Sequence, residues 1–366
     1  MRIGLDGTPL LGARTGIGRY VEELVAGLVR IAPADERVLT AFTIRQAAGL
    51  SEIPDVSVRH RRASAQLLQR LWTFAPFPPV EFISGRVDVF HGTNYVLPPL
   101  RRARGVVTVH DLSFLRHAET VEKVTLRLKQ LVPLSVARAG AVCVLSPAMG
   151  VEVQETYQVP ASKIVLTAPG VGPGFHSAVA LGTEALAALG LPPRFALFVG
   201  SREPRKGLPL LLTAWAQLWR EGVAPPLCLV GPPGWGPSLD VSGLPPEAVV
   251  MPGFLSSDDL PAVVASAELL AMPSLYEGFG IPPVEAFATG TPAVVSDLQV
   301  FRDNLGSLAR YSAVGDLESL TDALRLTLAE GRGSVADQDA RKAQVAGFTW
   351  DACARAARSA YELALS

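Results

Sequence analysis

The sequence predicts an α/β protein built as two doubly wound domains. Three observations carry that expectation. Short, near-continuous apolar runs alternate with helical stretches from end to end, as parallel strands buried on both faces do. The chain has 366 residues, 49% of them hydrophobic, which favours two domains over one. Near its middle lies PGVGPGFHSAVA (169–180), rich in Gly and Pro and followed by a new helix-then-strand start. Stretches of that composition mark domain joints.

In the first half the strand-like runs are RIGLD (2–6), VLTAFTI (38–44), VSVRH (56–60), VDVFHG (87–92), GVVTVHD (105–111), AVCVLS (141–146) and KIVLTAP (163–169). Tyr20, Leu24, Leu28 and Ile31 recur between the first two at helical spacing. In the second half the runs are FALFVG (195–200), LCLVG (227–231), VVMPG (249–253), LLAMPS (269–274) and PAVVSD (292–297). The helical stretches between and after them are LPLLLTAWAQLW, LPAVVASAELL and LESLTDALRLTL. FTWDACARAARSAYELAL (348–365) reads as a terminal amphipathic helix. The domains expected are 1–172 and 173–347.

Composition excludes several classes. Residues 1–175 carry 20 Lys/Arg and 14 Asp/Glu; residues 176–366 carry 13 and 20, a balance of +6 against −7. No Lys/Arg-rich run is interleaved with aromatics, so nucleic acid is not the expected partner. RHRRASAQLLQRLW (59–72) is basic, then partly apolar, the mix of an interfacial helix against an anionic membrane; the plain alternative is an ordinary surface helix. Cys143, Cys228 and Cys353 are far apart and odd in number, as buried thiols in a reducing compartment are. MRIGLDGTPL enters a strand at once, without a secretory h-region. No uncharged apolar run is long enough to span a bilayer. A cytoplasmic protein is expected, with peripheral contact at the inner membrane face as an extension.

Open α/β sheets place ligands beyond the carboxyl ends of their strands, and the chemistry-bearing residues follow strands. Glu277-Gly278-Phe279-Gly280-Ile281-Pro282-Pro283-Val284-Glu285 sets two carboxylates eight positions apart around a glycine turn and a double proline. Glu277 is expected on the loop and Glu285 one turn into the following helix, since Pro is accepted in a first helical turn. The glycines allow close backbone approach, and the helix start offers free N–H groups to an anion. Gly200-Ser201-Arg202-Glu203-Pro204-Arg205-Lys206-Gly207 puts three cations after a strand, a means of neutralising a diphosphate. His91 and His110 end separate strands and can line a cleft or serve as satisfied structural groups. Thr15-Gly16-Ile17-Gly18-Arg19-Tyr20 suits an anion-binding turn or a plain helix cap. Asp337-Gln338-Asp339 reads as a solvated helix face, so no metal is inferred.

Taken in order along the chain, GIGRY, VHD (109–111), the Arg202/Lys206 spacing, PSLYEGFG, the E-x7-E run, EAFATGTP and FTW…AYELAL resemble the retaining glycosyltransferases of family four, of GT-B fold. The resemblance covers almost the whole chain. It implies two Rossmann-like domains facing across a cleft, 1–172 with 348–366 returning to it and 173–347, and transfer of a hexose or deoxyhexose from a nucleotide sugar, with mannose from GDP-mannose as the first expectation. Catalytic roles would fall to His110, Glu277, Arg202 and Lys206. Arg202 and Lys206 would hold the donor diphosphate, and Glu285 the ribose hydroxyls. Glu277 with the Gly278, Phe279 and Gly280 backbone would hold the transferred sugar, and Gly16 would approach the diphosphate. The donor is a co-substrate, with no cofactor and no metal implied. A glycan, glycolipid or small-molecule acceptor would dock on the first domain. Two departures stand out: GVGPGF (170–175) lacks the Asp many relatives carry after GV, and Asp303 stands where relatives often have Glu. Alternatives on the same fold are a sugar-nucleotide epimerase, a phosphorylase, or a catalytically silent sugar-nucleotide-binding subunit.

Overall fold

A computed structural model describes residues 1–11, 16–43, 54–236 and 238–366. Thr15, Ile44 and Pro237 therefore lie outside the described residues. The chain forms two compact units. The first comprises Met1–Leu115, Lys123–Gly170 and Phe348–Ser366; the second comprises Arg116–Glu122 and Val171–Gly347. Arg116–Glu122 thus groups with the second unit, although its position within 1–172 assigned it to the first. Trp235 Nε1 donates to Thr120 O at 2.9 Å, and the rings of His117 and Tyr276 lie 5.5 Å apart, which ties the segment there.

The first unit is a seven-stranded sheet: β1 (Arg2–Asp6), β2 (Glu36–Thr43), β3 (Ser57–Arg62), β4 (Val89–Gly92), β5 (Arg104–Val109), β6 (Ala141–Val144) and β7 (Ile164–Leu166). The order is β3-β2-β1-β4-β5-β6-β7 and every pair is parallel. The chain winds outward from β1 to β3, then returns to β1's other side with β4. The switch point of this sheet is therefore the β1/β4 boundary. Gly16–Ile31 is helical because Tyr20, Val21, Leu24, Val25 and Leu28 put one apolar stripe inward.

The terminal helix, Trp350–Leu365, packs against Gly16–Ile31 and the central strands. Its buried face is mostly alanine, with Cys353 and Tyr361, so the helices approach closely. A Cβ added at Gly27 would stand 2.9 Å from Ala354 Cβ. Thr349 caps the helix, accepting from Ala352 N at 3.1 Å.

The second unit is a six-stranded parallel sheet of order β10-β9-β8-β11-β12-β13. Its strands are β8 (Ala196–Val199), β9 (Leu227–Val230), β10 (Val249–Gly253), β11 (Leu270–Met272), β12 (Ala293–Ser296) and β13 (Arg310–Ser312). Its switch point is the β8/β11 boundary. Phe198, Leu211, Trp215, Leu229, Leu320 and Leu324 form its core. The indole N–H of Trp215, which burial would otherwise orphan, donates to Pro225 O at 3.0 Å.

The structure departs from expectation in two elements. β13 was not expected: it is three residues long, Arg-Tyr-Ser, too short and too polar for an apolar-run criterion. Residues 59–72 are not one helix. Arg59, Arg61 and Arg62 belong to edge strand β3, and the helix is Ala65–Phe74, capped by Ser64. Alternating cations on a sheet edge discourage edge-to-edge pairing, which a helical reading of that basic run overlooks. All three cysteines are free and buried.

Candidate functional site

Two loops meet at the β8/β11 switch point. After β8 the chain passes Gly200 and Arg202, then a 3-10 turn at Pro204–Lys206. After β11 it runs from Pro273 to Gly280 and into the Ile281–Ala288 helix. Leu275 N donates to Arg205 O at 2.8 Å, joining the loops through backbone. Gly207, at φ +69, makes that approach feasible, since a Cβ there would overlap Pro273 O. Gly280 is equally constrained: its φ is +82, and a Cβ would overlap Phe301 Cε1. Asn304 Nδ2 donates to Phe279 O at 2.7 Å and pins the glycine turn from behind.

Glu277 is the centre of this site. It is 7% exposed. Lys206 Nζ donates to its Oε1 at 2.6 Å, Ser274 Oγ to the same oxygen at 2.8 Å, and Arg205 Nη1 to its Oε2 at 3.0 Å. Arg205 also donates to Tyr276 O at 2.9 Å and pairs with Glu203 at 3.2 Å, while Ser201 Oγ donates to Glu203. Burial alone would raise the Glu277 pKa, but Lys206 and Arg205 outweigh it and hold the carboxyl at about 2. At neutral pH Glu277 is therefore a carboxylate, an acceptor rather than a proton donor.

The structure brings Lys206 and Glu277 together but sends Arg202 elsewhere. Arg202 Nε donates to Pro233 O at 3.4 Å, and its Nη1 lies 3.0 Å from Met251 Sδ of β10. The second cation on Glu277 is Arg205, which sequence reasoning left unassigned as a site residue. The available signal was its place next to Lys206 among three loop cations. Tyr276 of this loop and His117, whose rings meet at a tilt of 45°, carried no such signal. Glu285 sits one turn into its helix and is 2% exposed. Asp303 accepts from Gln299 Nε2 at 2.8 Å. Asp337 completes a capping box with Ser334, and Asp339 pairs with Lys342 at 3.6 Å, as on a solvated helix face.

In the first unit the switch point has a different character. Thr93 Oγ1, just past β4, donates to Asp6 O at the end of β1 at 2.6 Å. His110, just past β5, is 5% exposed, and its Nε2 lies 2.8 Å from Thr93 O. A carbonyl only accepts, so Nε2 carries the hydrogen and Nδ1 of the neutral ring keeps the lone pair. Burial lowers the His110 pKa, favouring that neutral ring. Tyr20 and Tyr95 meet the ring edge-on at 5.1 and 5.4 Å.

His91 is a structural group: Tyr361 OH lies 2.9 Å from Nδ1 and Thr108 Oγ1 2.7 Å from Nε2. Burial pushes its pKa down to about 3. It ties the terminal helix to the sheet. Gly16 begins its helix, is exposed, and nothing stands within 4 Å of a Cβ built there.

Comparison with known proteins bears on the family and the fold. Residues 14–174 match the model of Glycosyltransferase Family 4, and 187–334 match Glycosyl transferases group 1. The O-antigen chain mannosyltransferase B of Escherichia coli is 27% identical over 99% of this chain and 100% of its own length. The O-antigen chain mannosyltransferase RfbU of Salmonella typhimurium is 28% identical over 85% and 89%. Among solved structures, a sucrose-phosphate synthase from Thermosynechococcus elongatus aligns with a TM-score of 0.77 at 20% identity, over 99% of this chain and 98% of that one. The Anabaena protein HepE, solved with UDP-glucose, aligns with a TM-score of 0.69 at 16% identity over 98% of both chains. At such identities the structural likeness concerns the fold.

Proposed function

Since the chain belongs to the family-four glycosyltransferases of GT-B fold, we propose that it is a retaining, metal-independent hexosyltransferase. Its donor is GDP-mannose and its acceptor a glycan or lipid-linked glycan. The observation that carries this is the Lys206–Glu277–Arg205 cluster at a sheet switch point. The relatives named as mannosyltransferases support the choice of sugar.

The leaving group is a nucleoside diphosphate, so the charge to stabilise develops on phosphate oxygen. Lys206 and Arg205 supply that stabilisation from fixed positions. Glu277, ionised and held by Arg205 and Ser274, accepts from sugar hydroxyls. Its low pKa disqualifies it as a general acid, which suits same-face attack assisted by the leaving phosphate. The family resemblance assigns Glu285 to the ribose, His110 to the sugar and Gly16 to the diphosphate.

Transfer from GDP-mannose in the presence of EDTA, with the product anomer read by NMR, tests this reading. An inverted anomer or a strict metal requirement overturns the corresponding part. Release of GDP without any acceptor would indicate an epimerase instead, and a need for inorganic phosphate a phosphorylase.

A peripheral contact with anionic membrane is also proposed. Arg59, Arg61 and Arg62 are exposed on β3, and beside them Leu67, Leu71, Phe74, Phe77 and Phe82 are 42–89% exposed. Cations next to exposed aromatics fit an anionic interface. Among the described residues no helix is long and apolar enough to cross a membrane. Sedimentation with phosphatidylglycerol vesicles is expected to carry down the protein, and Phe74→Ser with Phe77→Ser to release it. No binding at low salt would refute the contact.

A further inference from the structure

A small pocket opens in the first unit at its β1/β4 switch point. Asp6, Thr8, Phe42, Gln69, Trp72 and Asn94 line it, with a volume of about 40 Å³. Ala65, Gln69 and Trp72 stand at i, i+4 and i+7 of one helix, so a single face supplies one wall. Trp72 is anchored through Nε1 to Pro78 O at 3.1 Å and meets Phe42 edge-on at 5.4 Å.

The opposite wall is the turn after β4, and it is held firmly. Tyr95 has φ +62, rare for a residue with a Cβ. Its N–H donates to Thr108 O at 2.9 Å, and its ring is flanked by His110 and Phe114. A Cβ at Gly92 would overlap Val96 O, so the turn folds back tightly. That turn fixes Asn94 at the pocket.

The polar atoms here are left over. Gln69 Oε1 and Asn94 Oδ1 are both buried, and neither has a hydrogen-bond partner among the described residues. A buried, unpaired acceptor costs about 1–3 kcal/mol, and two such acceptors line one pocket. Both are carbonyl oxygens, and Asp6 adds a carboxyl whose Oδ1 accepts from Thr8 N at 2.9 Å. A pocket walled by acceptors and two aromatic rings matches a ligand edge rich in hydroxyl donors and C–H groups. It does not match an anion. Its volume admits one hydroxyl-bearing edge, not a whole sugar.

We propose that this pocket is an acceptor subsite seating the hydroxyl-bearing edge of a hexopyranose. Gln69 and Asn94 accept its hydroxyl hydrogens, and Trp72 and Phe42 form the apolar wall. The assignment rests on the glycosyltransferase reading above, because it gives the first unit the acceptor.

The test is NMR titration of the full chain with methyl α-glycosides of mannose, glucose and galactose, beside a separate titration with GDP. At least one glycoside is expected to bind. Gln69→Leu and Asn94→Leu should each weaken it at least tenfold, Asn94→Asp less, with GDP affinity unchanged throughout. Because the transferase reading gives GDP to the second unit, hydrogen exchange of the first unit, unchanged from wild type, certifies that the variants fold. Glycoside binding equal in wild type and both Leu variants overturns the subsite, as does GDP binding with no glycoside bound. Loss of both ligands in the wild type overturns the transferase reading instead. A Leu variant that loses GDP affinity too is set aside for Asn94→Asp and Gln69→Glu, which keep an acceptor oxygen. Failure of both to retain glycoside binding where GDP still binds overturns the subsite.

Discussion

The two switch points share a topology and differ in electrostatics. At β8/β11 a buried carboxyl meets two cations, and its pKa falls to about 2. At β1/β4 a buried carboxyl, Asp6, accepts from Thr8, no cation pairs with it among the described residues, and burial raises its pKa to about 6. Nearby His91 and His110 are pushed toward the neutral form by the same burial. One crevice is ionic and poised for an anion. The other sets histidines pushed toward the neutral form beside hydrogen-bond acceptors and a carboxyl that titrates at about 6. Strand order therefore locates a candidate site in each unit, while the loop residues decide which ligand chemistry it suits.

The largest expected effect comes from breaking the ionic site. Lys206→Ala removes a positioned cation and leaves buried Glu277 to Arg205 and Ser274. Transfer, read as kcat/KM, should fall by about 100-fold or more. Full activity would dismiss the cluster as a structural knot. Gly207→Ala tests the loop contact that builds the cluster. With its positive φ and the Pro273 carbonyl in the way, the variant should lose about 2–3 kcal/mol in denaturant melts.

Acid separates the two units. The folded pKa of His91 is depressed to about 3, so below pH 6.5 the unfolded chain binds a proton that the native chain does not. Stability therefore falls as pH drops from 6.5 toward 3. Compared with His91→Gln, the wild type should lose about 2 kcal/mol more between pH 7 and 5. Glu277 acts lower: its stabilisation is present above pH 4.5 and is lost as pH falls toward 2. Asp6 opposes the His91 effect, because its raised pKa adds stability to the first unit as pH falls through about 6 toward 3.8. Hydrogen exchange at pH 5 should thus show weakened protection in the first unit before the second in Asp6→Asn, and less so in the wild type. The smallest effect on stability is expected at Gly16→Ala, where the structure offers open space. Its melting should shift by less than about 1 kcal/mol, so any fall in transfer would report on ligand approach alone.

Much of the architecture was legible along the chain. Parallel strands buried on both faces must be apolar throughout, so FALFVG, LCLVG and GVVTVHD declare themselves. Gly280 and the double proline announced the turn and helix start between Glu277 and Glu285 because φ and missing N–H groups are local properties. Arg-Tyr-Ser of β13 did not declare itself, since two half-buried residues and a buried serine at an edge carry no periodic signal.

Pairing across loops was the part that only tertiary structure decided. Lys206 and Arg205 reach Glu277 from 71 and 72 positions away, and nothing in a charge's sequence neighbourhood names its partner. The same holds for the two histidines. Both end strands, yet His91 is spent on Tyr361 and Thr108, while His110 bonds the backbone at the β1/β4 switch point. Gln69 and Asn94, 25 positions apart, looked unremarkable until the helix and turn brought them to one pocket. The sequence by itself determined strands, helices, turns and the family, because these follow from periodicity, backbone restriction and motif order. Which side chains share a site, and hence which carboxyl is driven to about 2 and which to about 6, was decided by burial and neighbouring charge, and those exist only once the chain has folded.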